Sequence, residues 1–135
     1  MIRPLNVGLI CLSTVCLILP TACGDLCGNE VVSETKSPDA KLKVVVFERD
    51  CGATTNFSTQ ISIVRSNQSL PSGGGNLFIA DDKHHAIPLG SKGTMEITVS
   101  WESNSSLIVS YPQKAEVFLK KVNVAGVAVR YEAVP

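Results

Sequence analysis

Three groups of residues in this chain carry side chains able to do chemistry. The first is the cysteines, Cys11, Cys16, Cys23, Cys27 and Cys51. A thiol can be acylated, paired in a disulfide or used as a nucleophile. The nucleophile reading falls on Cys51, in Asp50-Cys-Gly-Ala-Thr-Thr-Asn56. It needs a base and an activating cation, and no pattern in the sequence supplies them. The clustered hydroxyls read instead as backbone caps in a loop pinned by a disulfide. The second group is Asp81-Asp-Lys-His-His85, which holds the only histidines. Adjacent imidazoles beside carboxylates can bind a transition metal, but no further His, Cys or spaced carboxylate motif accompanies them. An exposed loop between strands is expected there. The third, Pro71-Ser-Gly-Gly-Gly-Asn76, lacks the Gly-Lys-Ser/Thr of a phosphate loop and reads as a hairpin tip. No catalytic residue, metal site or cofactor is expected.

The thiols find a use at the start of the chain. Met1-Ile-Arg3 leads into an apolar run, Leu5 to Leu19, and then Pro20-Thr-Ala-Cys23. One cation, an apolar run and a small-residue site form the layout of a secretory signal. A helix of that run spans only ~22 Å, short of a ~30 Å hydrocarbon core. Residues 1–22 therefore read as an export signal, and Cys11 and Cys16 leave with it. The arrangement resembles a bacterial lipoprotein signal, in which a cysteine follows a small-residue box and becomes the lipidated first residue. That resemblance implies lipid on Cys23 and a location in the cell envelope, anchored to a membrane. The alternative is ordinary secretion, with cleavage after Ala22. Three cysteines remain after the cut, an odd number in an oxidising compartment. Lipidation of Cys23 makes the remainder even and leaves Cys27 and Cys51 as a disulfide pair.

Taking 22 residues from 135 leaves 113, the size of one ordinary domain. Of the 12 basic residues only Arg3 is lost, so the mature chain sets 11 cations against 12 anions. A near-neutral chain without a basic block or an aromatic stacking cluster argues against nucleic acid as a partner.

The elements that must position these groups are strands. After a tether, 23–29, short β-rich segments alternate with turn residues through 30–135, the signature of an all-β domain. Strands are expected at 30–35, 41–49, 60–65, 76–80, 94–102 and 107–111. Val122 to Ala133 alternates again, with Gly126 as a bulge. Gln113 to Lys121 leans to strand over helical turn. Met95, Ile97, Val99 and Trp101 share one face, which places Trp101 in the core; the competing reading is an exposed binding anchor at a sheet edge. A three-residue loop at 38–40 pairs Ser37 with Lys41, and that register, continued outwards, sets Cys27 opposite Cys51. The fold expected is a single antiparallel β-sandwich or small barrel of about seven strands.

Cys27-Gly-Asn-Glu30, Ser37-Pro-Asp-Ala-Lys41 and Phe47-Glu-Arg-Asp-Cys-Gly-Ala-Thr-Thr55 together resemble a group of small bacterial envelope proteins with no assigned activity. Phe57-Ser-Thr-Gln-Ile-Ser-Ile63 fits the same group, which often has Gly where this chain has Ala40. A glycine takes a left-handed loop position more easily. The resemblance implies an envelope location and carries over no catalytic residue. The expected function is a non-enzymatic, membrane-tethered module that binds an envelope protein or ligand. The alternative is a small inhibitor or immunity-type protein acting on an envelope hydrolase such as lysozyme. An enzyme would need the Asp81–His85 cluster and the Cys51 loop to converge in one cleft.

Overall fold

Val44-Val-Val-Phe47 has no polar residue at alternate positions, so a strand built on it must be covered on both faces. The computed structural model, which describes residues 26–52 and 57–135, covers it in that way. β2 (Leu42–Asp50) pairs antiparallel with β3 (Ser58–Arg65) along eight register positions. Val44, Val46, Ile61 and Ile63 face the core between two sheets. Val45, Phe47 and Val64 face the other way, where Leu70 packs on them from the loop 66–77.

β1 (Gly28–Lys36) flanks β2, and β4 (Phe78–Asp81) and β7 (Glu116–Lys120) follow β3, in the order β1-β2-β3-β4-β7. The second sheet holds β5 (Thr98–Ser103), β6 (Ser106–Pro112), β8 (Asn123–Val124) and β9 (Val127–Val134), in the order β5-β6-β9-β8. Phe78, Leu107, Val109 and Val127 fill the space between the sheets. Of the two architectures the strand pattern allows, the described residues form the all-β sandwich and not a closed barrel.

The layout of the strands differs from the sequence expectation in three details. The described residues form nine strands, where about seven are expected. The sheets are not antiparallel throughout, because β6 and β9 run parallel. Between them the chain crosses to the first sheet as β7 and returns through β8, so two reversals restore the direction. Gly126 is not a bulge. With Ala125 it forms the two-residue turn joining β8 to β9, both residues having positive φ (53° and 77°), as a type I′ hairpin turn demands. The ambiguous stretch around Val117 is the strand β7.

The β1–β2 hairpin reaches the expected disulfide by a different route. Ser37 N–H donates to the Leu42 carbonyl at 2.9 Å, so the loop has four residues and Ser37 faces Leu42, not Lys41. Ser37 is held there by its own hydroxyl, which bonds Asp39 Oδ1 at 2.8 Å and the Leu42 backbone. These contacts and the Lys41 N–H keep the exposed Asp39 carboxyl below its ordinary pKa of 3.8, the Lys41 bond acting most strongly. The one-residue offset is then cancelled. β1 bulges at Val32, because Val31 faces Phe47 while Ser33 faces Val46. Beyond the bulge Gly28 faces Asp50, and Cys27 meets Cys51 with Cα atoms 3.9 Å apart in a disulfide. On a chain-entropy model a ring of this size stabilises a fold by roughly 3 kcal/mol.

β5 keeps the expected faces: Val99 and Trp101 pack on the core while Thr98, Ser100 and Glu102 are exposed. The strand starts only at Thr98 because the Met95 N–H donates across the sandwich to Thr59 Oγ1 at 3.0 Å instead of joining a ladder. Trp101 is half-buried, not fully in the core, since β5 is an edge strand. Its indole N–H donates to the Thr35 carbonyl of β1 in the facing sheet at 3.0 Å.

Two stability predictions follow from these contacts. Ala40 sits at φ 57°, a left-handed conformation that costs a residue with a Cβ about 1 kcal/mol. Ala40→Gly should therefore raise the urea midpoint by the equivalent of ~0.5–1 kcal/mol at unchanged slope. Trp101→Phe keeps the apolar contact and deletes the bond to Thr35, so it should lower stability by about 1 kcal/mol in the same titration.

Candidate functional site

The connector from β4 to β5, residues 82–97, is the longest described segment between strands. It begins with a buried Asp82, whose Oδ2 accepts the His85 N–H at 3.0 Å. Ile87 then anchors the segment in the core. A tight turn follows: Gly93 N–H donates to the Gly90 carbonyl at 3.0 Å, and Gly90 N–H to the Thr94 carbonyl at 2.9 Å. This tip lies over the start of the β1–β2 ladder. Lys92 Nζ reaches the Val31 carbonyl at 3.5 Å, and Gly93 rests on the Glu48 carboxylate. Gly93 has φ +71°, which favours glycine, and a Cβ there would push the Glu48 carboxylate aside.

Between the connector and the edge strand β1 lies a groove of about 610 Å³. Its apolar lining comes from Val32, Val46, Pro88, Leu89, Met95 and Ile97, and its polar groups include Ser33, Lys92 and Glu96. Val32, at the bulge in β1, is part of this wall, and among the described residues no strand pairs with the outer edge of β1. An apolar surface with a few polar groups suits binding a partner or ligand.

A smaller cleft of about 330 Å³ adjoins the disulfide and is lined by Glu30, Glu48 and Asp50. Glu30 stands directly opposite Glu48 in the register. Burial, and then the charges of Glu30 and Asp50, raise the Glu48 pKa above its ordinary 4.5. On the far side of the sandwich Lys120 Nζ lies over the rings of Tyr111 and Tyr131, 5.4 and 5.0 Å from their centroids. Tyr131 donates its hydroxyl proton to the Lys121 carbonyl at 2.6 Å, and burial pushes its pKa up to about 12. That cluster ties β7 and β9 across the two sheets.

The residues singled out in the sequence do not form one site. Residues 1–22 and Cys23 lie outside the described residues, as do 53–56 of the hydroxyl-rich loop. Cys27 and Cys51 are consumed by their bridge. Asp81 Oδ1 accepts the Lys83 N–H at 2.8 Å, and Lys83, His84 and His85 make an exposed turn with φ of 48°, 56° and 65°. Among the described residues no three His, Cys, Asp or Glu side chains are grouped to hold a metal ion. Neither cleft beside β1 is lined by both Cys51 and this turn. Pro71–Asn76 is not a hairpin tip. It belongs to the loop covering the outer face of β2 and β3, where Asn76 exchanges side-chain bonds with Ile63 N–H (2.9 Å) and carbonyl (2.8 Å).

The groove was missed because its walls come from separate segments with no shared periodicity. Apolar Ile87-Pro-Leu89 and Met95 flanking a Gly90–Gly93 turn were the available signal. Compared with known proteins, the chain matches no family model, no curated protein and no solved structure.

The acidic cleft yields a prediction with a definite sign. A carboxyl whose folded pKa is raised gives full stability below its unfolded pKa and loses some as pH rises through the folded value. Glu48→Gln should therefore be more stable than wild type at pH 7. The difference should vanish below about pH 4, where both side chains are neutral. Unfolding titrations at the two pH values check this.

Proposed function

We propose that this protein is an exported bacterial cell-envelope lipoprotein, anchored through lipid on Cys23, whose single β domain is a non-enzymatic binding module. The observation that carries this reading is the Cys27–Cys51 bridge. Of the three cysteines after residue 22 it uses two, and it leaves Cys23 at the position a lipid acceptor takes in such signals. The groove beside β1 is the surface we assign to an envelope protein or ligand, because its lining combines apolar side chains with a few polar ones.

The exposed Gly90–Gly93 tip at the groove supports a second reading, a small inhibitor that seats this turn in the cleft of an envelope hydrolase. Slowing of lysozyme-type lysis by the purified domain would favour it over the first.

Cells given a labelled fatty acid should incorporate label into the wild type and not into Cys23→Ser. The variant should appear in the soluble exported fraction with its domain folded. Equal labelling of the two forms would sink the lipoprotein reading.

A further inference from the structure

The disulfide touches more than the two strands it joins. β1 is divided by the bulge at Val32, and its first half, Gly28–Val31, is an edge held to β2 by four register pairs and the bridge. One of those pairs sets Glu30 against Glu48, with Asp50 close by, and like charges directly opposite in a ladder push the strands apart. The bridge therefore holds this half-strand in place against a local repulsion.

Asn29 lies in that half-strand and works on the opposite face. Its Nδ2 donates to the carbonyls of Pro71 (3.0 Å) and Gly73 (2.9 Å). Arg49 Nη1 donates to Asn29 Oδ1 and to the Ser72 carbonyl, both at 2.7 Å. These bonds hold the 70–73 segment down over Val45 and Phe47, which are fully buried beneath it. The following residues have separate anchors on β3: Gly75 N–H to Gln60 Oε1 at 2.7 Å, Asn76 to Ile63, and Leu77 N–H to the Ile61 carbonyl at 3.0 Å. The cover thus has one half tied to β1 through Asn29 and to β2 through Arg49, and one half held on β3 without β1.

We infer that the Cys27–Cys51 bridge is a redox-sensitive latch: its reduction releases Gly28–Val31 and, through Asn29, lifts the 70–73 segment off Val45 and Phe47. The reductant required is a dithiol. One of its thiolates attacks a bridge sulfur, forming a mixed disulfide and expelling the other cysteine as a thiolate. Its second thiolate then resolves the mixed disulfide. The dithiol ends as a disulfide, oxidised by two electrons, and Cys27 and Cys51 end as thiols. The core between the sheets takes no buried residue from Gly28–Val31; β1 adds to it only Val32, beyond the released half.

The test uses the purified protein with its bridge intact or reduced by dithiothreitol and alkylated. Reduction should speed subtilisin nicking within 68–73 at least about tenfold and deprotect the amides of 28–31, while amides of β3, β6 and β9 keep their protection. Asn29→Ala, oxidised, should be nicked at the reduced wild-type rate, with no further gain on reduction. Glu48→Gln should slow nicking of the reduced protein. The latch is overturned if reduction leaves nicking unchanged, or if protection is lost everywhere together, which would make the bridge a global staple. It is equally overturned if Asn29→Ala, oxidised, resists nicking.

Discussion

The ladder between β2 and β3 has to be dry on both sides. Val44 and Val46 are buried on one face and Val45 and Phe47 on the other, so no register of this strand could leave a side open to water. A second sheet meets the first demand. The second is met without a sheet, by one loop fixed through Asn29, Arg49, Gln60 and Asn76. Amide and guanidinium groups do this because each can satisfy loop backbone that would otherwise be buried without partners. The polar residues that look like surface decoration in the sequence are therefore conditions for burying Phe47.

How the edges of the first sheet are managed follows from the same demand. β1 shields β2 and leaves its own outer side exposed, a position that invites pairing with other chains. Here the Val31 carbonyl is taken by Lys92, the Thr35 carbonyl by the Trp101 indole, and the strand is broken by a bulge. The groove sits where these devices leave room.

Much of the fold is legible in the sequence, and the parts that are not have physical causes. Alternation places β5 on its correct face, because a half-buried strand must obey a period of two, while apolar, β-branched runs between turn residues mark β1, β2, β3, β4 and β6 within a few residues. The disulfide is legible for a partly mistaken reason: a four-residue loop and a bulge each shift the register by one residue, in opposite senses. Local turn chemistry at Pro38 and Asp39 could not reveal the bulge, which is set by packing at Val32. Trp101 shows another limit, since the pattern gives its face but not its distance from the sheet edge. The groove lies beyond pattern reading altogether. Its walls meet only after the sandwich has formed, and the left-handed turn at Lys83–His85 that leads into the connector has no glycine to announce it.

The position of β9 has a consequence for the order of assembly. It lies in the middle of the second sheet, parallel to β6 on one side and antiparallel to β8 on the other. Val127 and Val129, which it supplies to the core, come from the last stretch of the sequence. β5 and β6 can form their hairpin early, but β6 waits with one side unsatisfied until β9 docks between it and β8. Pairing of such distant segments gives slow, all-or-none closure. The second sheet thus closes only after β9 has been made. A chain halted before β9 would hold a first sheet with half a lid.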